Sequence, residues 1–118
     1  MAYVDGFLLA IPARKMAMYR RISTKAGKVW MDHGALEYRE CVGDHLVQKG
    51  SAAFQKRVKA KRGEVVVFSW IVYKSRAHRD KILPKIMQDK RLTSMGAEAM
   101  PFDMKRMSYG GFKVLVDM

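Results

Sequence analysis

An α+β fold of β-α-β-β-α-β order is what the sequence predicts, and three observations predict it. Apolar residues recur every three or four positions over residues 14–33 and again after Ser75, the spacing of a helix with one buried stripe. Four other stretches read as strands, with Gly, Pro or Asp at one or both of their ends. The strongest of these, Glu64–Tyr73 (EVVVFSWIVY), is apolar at both sets of alternating positions.

The first strand is read at Tyr3–Ile11, ended by Pro12, which cannot donate to a ladder. Met16, Tyr19, Ile22, Ala26, Val29 and Trp30 draw the stripe of the first helix, with Gly27 interrupting it and Gly34 placed to end it. A second strand follows at Ala35–Val42 and closes on Gly43 and Asp44. Residues 45–63 carry no clear element; a connection of that length is functional, mobile or locally folded. After the third strand, Ser75 is suited to cap a helix running to Gln88, with Ala77, Ile82, Ile86 and Met87 inward. Pro84 should kink that helix or divide it into two pieces. A Met-rich loop, Met95–Met104, leads to a last strand at Arg106–Val116, where Gly110 and Gly111 mark a bulge or a close backbone approach.

This order is the ferredoxin-like one: a four-stranded antiparallel sheet with two helices on one face, in a single domain spanning 1–118. Along the third strand, Val65, Val67, Ser69, Ile71 and Tyr73 point one way, and Val66, Phe68, Trp70 and Val72 the other. Both faces want cover, and two helices on one side supply only one. Four strands of about six residues present roughly 400 Å² per face, within the range of the largest apolar patch on a typical monomer. A second copy, packed sheet against sheet, is the expected cover, so the chain is expected to be a homodimer.

Composition narrows the class of function. At 118 residues with 49% hydrophobic and 29% charged side chains, the chain can bury a core. It has no apolar run of membrane-spanning length and no signal-peptide pattern at its start, and Cys41 is its single cysteine. A cytoplasmic setting without membrane association is expected. No GxGxxG, P-loop or nucleophile-elbow motif occurs, and His33, His45 and His78 show no metal-ligand spacing. Neither a metal nor a cofactor is therefore expected, and no catalytic motif is found. The net charge of +12 attracts phosphate polymers and anionic surfaces.

Five segments carry a family resemblance: YVDGF at Tyr3–Phe7, HGAL at His33–Leu36, VKAK at Val58–Lys61, VVFSWIVY at Val66–Tyr73 and MPFDMKRMSYGGF at Met100–Phe112. Together they resemble the YbaA-like family, an uncharacterised bacterial group of this length, nearly end to end. The resemblance implies a dimeric α/β barrel in which two ferredoxin-like subunits pair their sheets. It carries over no catalytic residue. Cofactor-free monooxygenases and isomerase-like enzymes occur in the wider superfamily, so it also implies a catalytic alternative.

A small apolar or aromatic molecule held between the sheets is the leading functional expectation. Phe68, Trp70, Met107 and Tyr109 are the residue types that line such a cavity, and Glu40, Asp103 and Arg106 could supply polar groups. Asp103 and Arg106 read otherwise as a turn-fixing ion pair. Glu40, if it faces the barrel interior, needs a partner such as Arg106 or Arg39 of a second copy, while Cys41 reads as a buried small hydrophobe. The alternative is a basic module that binds RNA or another polyanion without base specificity. It would use Lys56, Arg57, Lys59, Lys61 and Arg62 together with Arg76, Arg79, Lys81 and Lys85. The specific RNA-recognition version fails, because Arg62-Gly63 is followed by Glu64 and three valines where stacking aromatics are required.

Overall fold

Ten residues, Tyr3–Pro12, form the inner strand β1, and β-branched Glu64–Tyr73 forms β3 beside it, paired antiparallel from Tyr3 opposite Tyr73 to Pro12 opposite Glu64. The outer strands are β2 (Glu37–Val42) against β3 and β4 (Ser108–Lys113) against β1, both antiparallel. The result is an α+β fold with a four-stranded antiparallel open sheet in the order β2-β3-β1-β4. This computed structural model describes residues 1–96 and 100–118. Part of the connection expected over 95–104, namely 97–99, thus lies outside the described residues.

Helices α1 (Met16–Asp32) and α3 (Arg76–Met87) pack on the same side of the sheet. Val29 of α1 and Ile82 and Ile86 of α3 meet Ile71 and Tyr73 of β3 in one buried cluster, and Tyr19 of α1 meets Leu9, Ile11 and Val67 in a second. Gly27 has a packing reason: a methyl group there would stand 2.8 Å from the ring of Tyr38, so α1 can approach β2 only without one. Gly34, at φ 115°, turns the chain out of α1 while the Gly34 and Ala35 amides donate back to the Met31 and Trp30 carbonyls.

Several elements depart from expectation. α3 runs through Pro84 without dividing, because Pro84 faces solvent, where water can serve the Asp80 carbonyl that loses its helical donor. Ala77, expected inward, is exposed; lying five residues before Ile82 it sits about 140° around the helix from it. Met87, one position past the buried Ile86, is exposed too. A separate short helix, α4 (Lys90–Thr93), follows with Asp89 as its cap. The last strand ends at Lys113 rather than at Val116, and residues 104–106 form a 3-10 turn before it. Gly110 and Gly111 pair in unbroken register with Gly6 and Asp5, so there is no bulge; Gly111 instead leaves room for the Tyr3 hydroxyl.

The unassigned stretch 45–63 folds locally. Its short helix α2 (Phe54–Arg57) leads into Val58 and Ala60, which with Leu46 pack on Ala10 and Val66, on the sheet face away from α1 and α3. One end of that second face is therefore covered by the chain itself. The other end is open.

Candidate functional site

The uncovered end of the second face is aromatic. Phe68 and Trp70 alternate with the buried residues of β3 and therefore project to this side, as does Phe112 of β4. Phe68, on the inner strand β3, is 46% exposed, and Phe112, near the end of the outer strand β4, is 60% exposed. Trp70, Gly6 and Gly110 are directly opposite one another across three strands, so two of the three positions in that row bear no side chain. The ring of Phe112 leans over this bare strip, 3.2 Å from where a Gly6 methyl group would stand. Phe68 packs on Trp70 with ring centroids 5.6 Å apart, and Phe54 of α2 meets Phe68 edge-on at 6.3 Å.

Polar groups stand at the margin of this surface. Trp70 Nε1 donates to Glu37 Oε1 at 2.9 Å, and Arg39 Nε donates to the same oxygen at 2.8 Å. Those hydrogen bonds, the indole's first and the guanidinium's second, hold the Glu37 carboxyl below the usual carboxylate range. Cys41, half-buried, is opposite Phe68 in the same register.

The helix side carries a different kind of chemistry. Glu40 accepts from the Tyr19 hydroxyl at 2.6 Å and from the Tyr38 hydroxyl at 3.3 Å, so its partners are two phenols of its own chain rather than Arg106 or Arg39. Burial and then the Glu40 charge raise both phenols above the ordinary tyrosine range, which keeps them protonated as donors. Further along, Asp5, 1% exposed, accepts from the Tyr73 hydroxyl at 3.0 Å and from Arg79, which also donates to the Tyr109 hydroxyl. Trp30 Nε1 donates to the Tyr73 oxygen at 3.0 Å. Burial works against the charged Arg79, but hydrogen bonds to Asp80 and Asp5 outweigh it and raise the guanidinium further. Sequence reasoning missed Asp5, and its signal was present: a lone carboxylate in the apolar alternation of YVDGFLLAI.

The seven residues proposed for a ligand site divide among three places. Phe68 and Trp70 line the open face, and Glu40 and Tyr109 lie on the helix side, Tyr109 stacked on Phe7 at 4.8 Å. Met107 packs into the cluster of Leu9, Ile11, Tyr19 and Val67. Asp103 and Arg106 belong to the turn before β4, but not as the expected ion pair. The Asp103 carboxylate accepts from the Lys105 amide, while the Arg106 guanidinium grips Glu64 at 2.7 and 2.8 Å and the Lys59 carbonyl at 3.0 Å. The Arg106 hydrogen bond is the main reason the Glu64 carboxyl is lowered to about 2.

The basic residues divide as well. Lys56, Arg57, Lys59, Lys61 and Arg62 surround the segment that packs on the second face, whereas Arg76, Arg79, Lys81 and Lys85 belong to α3 on the helix side. Arg79 is committed to Asp5. Among the described residues no three His, Cys, Asp or Glu side chains gather to hold a metal ion, and no helix is long and apolar enough to cross a membrane.

Comparison with known proteins agrees with the resemblance read from the sequence. A family described as a protein of unknown function (DUF1428) matches residues 2–104. The uncharacterized protein YbaA of Escherichia coli (strain K12) is 44% identical over 117 residues, 99% of each chain, and the YbaA protein of Shigella flexneri is similar to the same extent.

Proposed function

The chain belongs to the DUF1428 family of proteins of unknown function, and on that premise we propose that it acts as a homodimer, closed sheet against sheet, that holds a small apolar or aromatic molecule between the two open faces. In this reading the strand order β2-β3-β1-β4 is the ferredoxin-like one and two copies complete a dimeric α/β barrel. One observation carries it: Phe68, Trp70 and Phe112 project from one face of the sheet without full cover, with the Phe112 ring lying over Gly6. Water against that surface costs free energy at ~25 cal/mol per Å² of apolar area, and a second such surface removes it. Aromatic walls with the Glu37–Arg39 pair at the rim favour a flat apolar ligand bearing one polar group.

A polyanion-binding role has less support, because the basic side chains lie on opposite sides of the sheet and cannot track one phosphate backbone together. A monooxygenase- or isomerase-like reaction rests on analogy alone, since the helix-side carboxylates of Asp5 and Glu40 are already engaged by side chains of their own chain.

Light scattering on the purified chain at micromolar concentration tests the assembly, with twice the 13.5 kDa chain mass expected. Native mass spectrometry of protein taken directly from its host tests the ligand, with an extra small mass, released on unfolding, expected on each dimer. A monomer overturns the whole reading, and a dimer carrying no retained molecule overturns the ligand.

A further inference from the structure

We infer that the exposed face of α1 is a docking surface for double-stranded nucleic acid, gripped through its phosphates without reading of the bases. Between positions 14 and 28 the chain places Arg14, Lys15, Arg20, Arg21, Lys25 and Lys28, and no carboxylate. These charges equal half of the net +12 of the whole chain. None of them enters an ion pair among the described residues. Successive helical positions turn by about 100°, so Arg21, Lys25 and Lys28 share an arc of roughly 60° and span about 10 Å. Arg20 completes the row: a shallow depression in the surface is lined by Arg20, Arg21, Thr24, Lys25 and Lys28 alone. The Thr24 hydroxyl is turned back onto the Arg20 carbonyl at 2.7 Å, which leaves the cations to set the character of the depression. The basic residues of 56–62 and α3 are divided between two sides of the sheet; those of α1 are not.

The order of charges also runs against the helix. A helix favours anions near its start and cations near its end. α1 has Lys15 at its cap position with no side-chain cap, no acidic residue in its first turn, no basic residue in its last, and Asp32 as its final residue. Arg21 and Lys25, one turn apart, repel each other in addition. Phosphates bound along this row would turn each of these costs into an attraction. The flanks select among polyanions. Tyr19 is buried and the Trp30 indole is turned to Tyr73, so the face offers no aromatic ring on which an unpaired base could stack. Its large exposed apolar side chains are Met18 and Met31, too few to seat the helix in a lipid surface. A duplex, with its dense and continuous phosphate charge, matches what remains. The surface is independent of the sheet-to-sheet dimer, because α1 packs on the side of the sheet away from Phe68, Trp70 and Phe112.

Fluorescence anisotropy with a labelled DNA duplex of about 20 base pairs and arbitrary sequence tests the inference. Four phosphate contacts predict a slope of about −3.6 for log K against log salt, roughly a hundredfold loss of affinity between about 50 and 200 mM. Arg21→Gln/Lys25→Gln, both exposed positions, should bring the slope to about −1.8 with the circular dichroism spectrum retained. Arg21→Glu/Lys25→Glu should bind at least about tenfold more weakly than Lys56→Glu/Lys61→Glu, which removes the same charge from the segment packed on the other sheet face. Equal weakening by the two pairs would mean that overall charge, not α1, attracts the duplex, and would overturn the inference. So would absence of binding at about 50 mM salt, where phosphate contacts are strong. Tighter binding of one separated strand than of the duplex overturns the choice of partner, as does binding to phosphatidylserine vesicles by a chain that ignores the duplex.

Discussion

Arg79 reaches 74 residues back along the chain to Asp5, its Nε lying 3.2 and 3.1 Å from the two carboxylate oxygens. The contact ties α3 to the inner strand β1, and the Tyr73 hydroxyl completes the carboxylate's coordination from β3. Removing one member strands a charge that the fold has already desolvated. Arg79→Met should therefore cost about 3 kcal/mol, as loss of one partner from a buried pair does. Asp5→Asn should cost a comparable amount, and the double variant less than the sum of the two. Urea unfolding of the three variants checks this; additive costs would mean that the two residues act independently.

Glu64 and Arg106 link the start of β3 to the turn before β4. The Glu64 carboxyl is lowered to about 2 from its ordinary 4.5, chiefly by the Arg106 hydrogen bond. A carboxyl lowered by folding contributes its stabilisation fully above its unfolded value and loses it as pH falls toward the folded one. Glu64→Gln should thus be less stable than the natural chain at pH 7, and the gap should close between pH 4.5 and about 2. Denaturation midpoints at several pH values measure it, and a gap that stays constant would place the cost of the substitution elsewhere.

Gly27 sets two effects against each other. Alanine would gain roughly 1 kcal/mol of helix propensity, but its methyl group would stand 2.8 Å from the Tyr38 ring. That ring is held by its hydroxyl on Glu40 and by Trp30, so it has little freedom to move aside. Overpacking of this kind costs about 1–3 kcal/mol, so Gly27→Ala should destabilise the chain on balance. In a Tyr38→Ala background the sign should reverse. Thermal unfolding of the two single variants and the double variant checks both halves of the argument.

The periodic signals were legible wherever one physical effect dominated. Apolar spacing located α1 through Tyr19 and Val29, and β-branched density located β3, because burial of a continuous face sets both patterns. Pro84 did not divide α3, since solvent can serve the carbonyl that its missing N–H leaves free, and that exposure is not written in the local sequence. The candidate site was harder to read. Phe68 and Tyr109 look alike in composition, but strand register sends them to opposite faces of the sheet. Arg106 pairs with Glu64, 42 residues away, rather than with neighbouring Asp103, whose carboxylate accepts from the Lys105 amide. Those choices are made by tertiary geometry after the elements exist.

Trp70 offers a direct view of the open face, since the chain's other tryptophan, Trp30, lies on the helix side with its indole on Tyr73. Trp30→Phe leaves Trp70 as the sole strong emitter. If a second copy covers the face, emission should be blue-shifted at micromolar concentration and move to the red on dilution, as the indole meets water. Phe112→Asp should abolish the blue-shifted form. Phe112 is 60% exposed in the lone chain, so the substitution leaves the fold intact. In the dimer it would bury two unpaired carboxylates, one per copy, at about 3 kcal/mol each, roughly a ten-thousandfold rise in dissociation constant. Retained far-ultraviolet circular dichroism would separate lost assembly from lost fold. Emission that ignores both dilution and Phe112→Asp would mean that the aromatic surface stays in contact with solvent, and the sheet-to-sheet dimer would fall with it.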